Sequence, residues 1–227
     1  GRAGEKTSAK LTFIQDFYSE KYAHYKADLV CCKMTLEHIH RTNDFVSMVR
    51  RAIGDNLDTV VFFQVPDVMR ILKECAFEDI YYEHCSYFSP GSLAYLFRSC
   101  GFEPIELKSE YGEQYLIIVA EPTAQKSANP TIEMEDLAKI GSYVERFEAA
   151  YNEATDFWQK SLAIKAKKNQ RTVIWGSGSK GVAFLTAVSP QSGEAIEYVV
   201  DINPFRQGHY MTGTGQESVP PEFLGKY

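Results

Sequence analysis

Tyr81-Tyr82-Glu83-His84 packs two phenols, a carboxylate and an imidazole into one short stretch, just after the acidic pair Glu78-Asp79. A histidine titrates near neutrality, so it can take a proton from a carbon or hydroxyl acid, and a neighbouring carboxylate can orient its ring. In an extended segment Tyr81 and Glu83 would share one face and Tyr82 and His84 the other, so convergence on one substrate needs a turn. The bland alternative is a polar loop with a satisfied histidine. A second group, Leu36-Glu37-His38-Ile39-His40, follows an apolar run that ends at Met34. In an open parallel sheet ligands collect beyond the carboxyl ends of strands, where these side chains would sit. Glu37, His38 and His40 are metal-donor types, but the spacing is not His-Glu-x-x-His and no third ligand set accompanies it, so no metal is expected. The chain has no Gly-x-Ser-x-Gly elbow and no cysteine in a nucleophile's context, which leaves hydrolase chemistry without support.

The sharpest local motif lies further on. Thr172-Val173-Ile174-Trp175 reads as a strand and runs into Gly176-Ser177-Gly178-Ser179-Lys180-Gly181, after which residues 182–188 look helical. Glycines at this spacing permit a tight turn, bring backbone N–H groups near a ligand and aim a helix N-terminus at a phosphate. A second strand, residues 197–200, ends at Asp201, twenty residues beyond Gly181, where an acid can accept hydrogen bonds from a ribose hydroxyl. The alternative is a strand-to-helix turn whose glycines serve packing only.

These residues need a scaffold, and three stretches differ in texture. Residues 1–122 alternate short apolar runs with helical stretches: 27–34 and 59–65 as strands and 44–53 as a helix predict a mostly parallel sheet covered on both faces. Ser89-Pro90-Gly91-Ser92 reads as a cap for a helix to about Cys100, with Gly101 as a left-handed stop. Residues 104–108 and 114–120, joined through Tyr111-Gly112-Glu113, fit an antiparallel hairpin at a sheet edge. Residues 123–168 hold a polar, proline-bounded linker and then a long helix with one apolar stripe through Leu137, Ile140, Val144, Phe147, Tyr151, Ala154 and Trp158. Its lysine-rich end suits the negative end of the helix dipole. Residues 169–227 form the third stretch, around the glycine motif.

Composition narrows the function classes. The net charge is -6, with a pI near 5.5, which argues against a nucleic-acid footprint, since that would need a basic face to neutralise phosphates, so no nucleic acid is expected as a partner. No apolar run reaches the roughly 18 residues of a membrane helix, and residues 1–10 lack the apolar core of a signal peptide, so the expectation is a cytoplasmic protein with no membrane partner. Five cysteines, odd in number and without a Cys-x-x-Cys pair, point to neither a disulfide framework nor a zinc knuckle.

In their order these pieces resemble the three-domain S-adenosylmethionine-dependent C-methyltransferases that act on nucleotide-linked deoxysugars. Residues 29–39 (LVCCKMTLEHI) look like that family's fourth strand and the loop after it, and residues 81–89 resemble its active-site loop. Residues 173–181 and 200–204, then Gly208 and Gly213-Thr214-Gly215, are similar to its C-terminal domain in order and spacing. The resemblance covers nearly the whole chain.

It implies an α/β fold: part of a class I methyltransferase sheet of Rossmann-like type in 1–122, a linking helix in 123–168, and a small Rossmann-like C-terminal domain in 169–227. It also implies methyl transfer from the sulfonium to a sugar carbon activated by proton removal beside a keto group. On that view His84 is the general base, Glu83 orients it or contacts the sugar, and Tyr81 and His38 position the substrate or stabilise an enolate. Asp16 and Phe17 would touch the adenine of the cofactor, and Lys33 and Met34 its methionine part. Gly176, Ser177, Gly178, Lys180 and Gly181, with Asp201, would hold the nucleotide of the substrate or keep only an old Rossmann turn. No Gly-x-Gly-x-Gly precedes Asp16, so the glycine-rich cofactor loop and the zinc-bearing N-terminal domain are expected outside these residues, with zinc confined to that domain. Two other readings stand beside this one: a nicotinamide-dependent oxidoreductase using the loop from Gly176 to Gly181, and a non-catalytic nucleotide-binding module. No oligomeric state follows from the sequence.

Overall fold

The structure, a computed structural model, describes residues 7–8, 11–124, 134–192 and 195–226. The linker expected before the long helix lies mostly outside the described residues. A two-residue antiparallel pair, β1 (Thr7–Ser8) and β2 (Leu11–Thr12), precedes the first sheet. That sheet contains β3 (Leu29–Lys33), β4 (Val60–Pro66), β5 (Phe102–Glu110) and β6 (Tyr115–Pro122), in the spatial order β3-β4-β6-β5. Helices α1 (Thr42–Ile53), α2 (Val68–Glu74) and α3 (Pro90–Ser99) connect the strands.

The sheet is less parallel than the sequence predicts. Only β3 and β4 run parallel, because the hairpin folds back so that β6 pairs antiparallel with both β4 and β5. Side-chain chemistry explains this order. Leu116, Ile118 and Ala120 of β6 are buried, as are Val61, Phe63 and Val65 of β4, and Phe63 lies opposite Ile118 in the ladder. β5 carries Glu103, Glu106, Lys108 and Glu110, which suit an edge whose outer backbone groups stay in water.

The core forms where α1 and α3 lay Val46, Val49, Leu93 and Phe97 over this sheet, and the Phe63 and Phe97 rings meet edge to face at 5.1 Å. The predicted cap is present at α3: the Ser89 hydroxyl accepts from the Ser92 N–H, and the Ser92 hydroxyl accepts from the Ser89 N–H. Arg50 of α1 pins the chain ends around it by donating to the carbonyls of Gly54, Gly101 and Thr123 at 2.7, 3.2 and 2.9 Å.

The long helix α4 (Met134–Lys167) leads to a second, wholly parallel sheet of β7 (Thr172–Trp175), β8 (Ile196–Val200) and β9 (Glu217–Val219), with α5 (Ser179–Ser192) between β7 and β8. Leu162 of α4 joins Leu185, Val188, Ile196, Val199 and Met211 in its core. The expected apolar stripe of α4 is covered unevenly: Tyr151 and Ala154 are partly buried, whereas Leu137 and Val144 stay about half exposed. Gly176 adopts a left-handed φ of 108°, and a Cβ on Gly181 would lie 2.6 Å from the Gly176 carbonyl oxygen, so α5 can approach β7 this closely only without a side chain there. The architecture is mixed α/β: a Rossmann-like class I sheet of parallel and antiparallel strands, a long helix and a second small α/β unit. No described helix is long and apolar enough to cross a membrane.

Candidate active site

The first cluster is built by a loop that leaves α2. Cys75 ends that helix in a left-handed conformation, a single 3-10 turn over Phe77–Asp79 follows, and the chain then turns again at Tyr82 and Glu83. This second turn is closed by the His84 N–H donating to the Tyr81 carbonyl at 3.1 Å. It supplies the convergence that an extended segment lacks: the Tyr81 and His84 rings come within 4.0 Å, while Tyr82 and Glu83 face outward. His84 itself is buried.

The second cluster closes on the first from the end of β3. The backbone carbonyl of Glu37 accepts from the N–H groups of Cys85 and Ser86 at 2.8 and 3.2 Å. His38 Nδ1 lies 2.9 Å from the Glu83 carbonyl oxygen, which can only accept, so this nitrogen carries the hydrogen. The rings of His38 and His84 meet edge to face at 5.0 Å. The backbone of the loop, rather than the Glu83 side chain, is therefore what His38 holds.

One residue outranks its sequence expectation. Glu37 is fully buried, 3.9 Å from His38 Nε2, and neither of its oxygens has a hydrogen-bond partner. Both ring nitrogens of His84 are likewise without a partner. A carboxylate oxygen of Glu37 and one ring nitrogen each of His38 and His84 all lie within 4.8 Å of one another. Sequence reading considers Glu37 only as a metal-donor type; its burial beside two imidazoles follows from a tertiary contact between segments 47 residues apart, for which residues 36–40 alone carry no signal.

Burial sets the protonation of this group. It pushes the His84 imidazole below its ordinary value of 6.5, with the nearby His38 acting in the same direction, so the ring is neutral at pH 7. It raises the Glu37 carboxyl, against weaker opposing effects of backbone groups and His38. It also lifts the Tyr81 phenol to about 12, so Tyr81 remains a hydrogen-bond donor across the physiological range.

Beside the cluster opens a cavity of about 1310 Å³. Tyr81, Tyr82 and Glu83 form one wall, Phe147 and Tyr151 of α4 another, and the turn before α5, with Arg206, His209 and Tyr210, the third. His84 is not in its lining and borders it through Tyr81.

The remaining sequence candidates are distributed as follows. Met34 ends β3 in a left-handed conformation, its N–H donating to the Gln64 carbonyl, and Lys33 beside it is exposed. Asp16 is exposed, pairs with Lys21 and accepts from the Tyr22 hydroxyl, and these two contacts draw its carboxyl to about 2. Phe17 is 91% exposed, and its N–H donates to Asp16. In the glycine loop, the Asp201 carboxylate accepts from the Ser177 hydroxyl and from the N–H groups of Ser177 and Asn203, with Arg206 at 3.5 Å. Lys180 turns away from the loop and reaches Asp79 at 2.7 Å. Sequence reading misses Asp79 as a partner and Arg206 as a wall of the cavity; both lie in stretches without a motif.

Comparison with known proteins follows the same division. Residues 4–107 match the pattern of a methyltransferase domain, and residues 118–225 that of a C-methyltransferase C-terminal domain. The chain is 27% identical over 200 residues to the C-methyltransferase NovU of Streptomyces niveus, an alignment covering 84% of this chain and 47% of that protein. It thus spans about half the length of the curated relative it matches. Most of the chain is thus accounted for by two consecutive matches, a methyltransferase domain followed by a C-methyltransferase C-terminal domain, in the company of a relative described as a C-methyltransferase.

Proposed function

We propose that this chain is part of an S-adenosylmethionine-dependent C-methyltransferase that methylates a carbon beside the keto group of a nucleotide-linked deoxysugar, with His84 as general base. The observation that carries the reading is His84 itself: buried, without a partner at either ring nitrogen, and in ring contact with Tyr81, through which it borders a large cavity; burial also lowers its pKa, which favours the neutral ring. A neutral imidazole can take a proton from a carbon acid, and a phenol kept protonated can donate to the enolate oxygen that forms. His38 holds the loop through the Glu83 carbonyl, and the Glu83 side chain, exposed on the cavity wall, is free to contact sugar hydroxyls.

The cofactor supplies the electrophilic methyl group. Residues available to hold it are Asp16 and Phe17, a carboxylate beside an exposed ring that suits an aminopurine, and Lys33 and Met34 at the carboxyl end of β3 for its amino-acid part. Across the cavity, the N–H groups at the start of α5 and the Arg206 guanidinium suit the phosphates of the nucleotide. In this reading Gly176, Gly178 and Gly181 let the backbone come close, while Lys180 and Asp201 brace the loop. The nicotinamide reading has less support, because the Asp201 carboxylate is engaged within the loop by the Ser177 hydroxyl and N–H and by the Asn203 N–H.

Proton removal needs no cofactor, so it is testable on this chain. Incubated in D2O with a nucleoside-diphosphate-linked keto sugar, the chain is expected to exchange the hydrogen beside the keto group, followed by proton NMR, and His84→Gln to slow exchange by roughly 10²-fold or more. A chain that binds the sugar yet exchanges at the uncatalysed rate would overturn the assignment.

A further inference from the structure

Glu37 is costly where it stands. A carboxylate removed from water loses its hydration, and the backbone groups and His38 near Glu37 offset only part of that loss, whereas an apolar residue of similar size would fill the same space without it. Its backbone carbonyl already does the structural work of holding Cys85 and Ser86, which any side chain would permit. The two imidazoles that share its pocket with it, His38 and His84, can each become cationic, and His84 does so whenever it takes a proton. Cys32, Tyr81, Tyr87, Asp79 and Glu83 stand around the group and carry no positive charge, and at its rim Cys85 packs its sulfur on the His38 and Glu83 carbonyls and lies 3.8 Å from the imidazole of His40.

We propose that Glu37 is a positioning residue of the base: its buried carboxylate compensates the imidazolium that forms on His84 when the substrate is deprotonated, and fixes the paired rings of His38 and His84. In that step the substrate C–H bond breaks, its electron pair stays on the substrate as the enolate, and the proton forms an N–H bond on His84. Glu37 touches neither substrate nor cofactor; it acts through the rings. The inference rests on the reading of His84 as base, but it makes a statement about the resting chain that can be tested apart from turnover.

The test is an NMR titration of the His84 imidazole in the wild-type chain, Glu37→Gln and Glu37→Asp, paired with the deuterium-exchange assay. In Glu37→Gln, which keeps shape and removes charge, His84 is expected to protonate roughly tenfold less readily. Exchange is expected to slow by a similar factor in kcat with KM unchanged, and Glu37→Asp to recover part of both. If Glu37→Gln does not fold, the Glu37 carboxyl carbon is titrated instead in His84→Gln and the wild type, and a shift between the two is the expected result. An unchanged His84 titration in a folded Glu37→Gln chain overturns the proposal. So does stoichiometric binding of Zn²⁺ by the wild-type chain that Glu37→Gln abolishes, which would assign the group to a metal. Absence of exchange with the His84 shift still present would sink the reading of the base and leave the coupling of Glu37 to His84 standing.

Discussion

Lys180 Nζ lies 2.7 Å from Asp79 Oδ1, and through this pair the glycine loop before α5 is tied to the residue from which the His84 loop begins. Asp79 is mostly buried and also takes Arg70 of α2 at 2.7 Å, so one carboxylate joins three elements. The ring of Phe77 stacks on Phe184 of α5 and meets Tyr151 of α4 edge to face, giving the same junction an apolar side.

Lys180→Met should therefore loosen the loop without emptying the core. Half of the Lys180 side chain is in water, so the expected loss is only about 1 kcal/mol. The more telling readout is hydrogen exchange, with amides 80–86 expected to exchange faster while those of β4 and β6 stay as they were. Unchanged protection of 80–86 would mean that the pair is incidental.

Asp201 gives the second unit a dependence on acid. The Ser177 hydroxyl, with help from the N–H groups of Asn203 and Ser177, draws its carboxyl from the ordinary 3.8 to about 2. A depressed folded value means that the charged form is the stabilised one. Its contribution is therefore present above about pH 4 and is lost as the pH falls toward about 2. Asp201→Asn is expected to lower stability by about 1–3 kcal/mol at pH 7 and to flatten the decline between pH 4 and pH 2. Urea unfolding followed by the fluorescence of Trp158 and Trp175 at a series of pH values measures both, and parallel acid profiles for the two chains would refute the assignment.

How much of this was open to sequence reading depends on how local each feature is. β7, the glycine turn, α5 and β8 are specified by neighbours in the chain, and the structure reproduces them within a few residues. The α3 cap was legible for the same reason. The strand order was not: the hairpin was evident, but whether its first or second strand meets β4 is decided by which apolar row matches Val61, Phe63 and Val65. The charges on β5 were the available clue. In the candidate site, the imidazole and phenols stood out as a sequence cluster, while Glu37 and Asp79 gained their roles only from partners 47 and 101 residues away.

Gly181 tests whether the close approach of α5 to β7 is needed. A methyl group there meets the Gly176 carbonyl, a backbone atom that cannot swing aside, so Gly181→Ala is expected to cost about 1–3 kcal/mol. Gly178→Ala is the control, because its added carbon meets only the end of the Arg206 side chain at 3.4 Å. Equal thermal stabilities for the two variants would show that the turn relaxes without strain.

Protonation at the base gives the last expectation. Burial keeps His84 neutral down to a pH below 6.5, and only the neutral ring can accept a proton. Deuterium exchange should therefore be level at neutral pH and fall as the pH drops through the His84 value, with its midpoint on the acid side of 6.5. Tyr81 loses its proton only near 12, so the phenol adds no limb between pH 7 and 10. Tyr81→Phe removes the donor and keeps the ring against His84, and it is expected to slow exchange by roughly 10²-fold while leaving the midpoint in place. A Tyr81→Phe chain that exchanged at the wild-type rate would move the enolate contact to another residue, with the Tyr82 hydroxyl on the same cavity wall the next to examine.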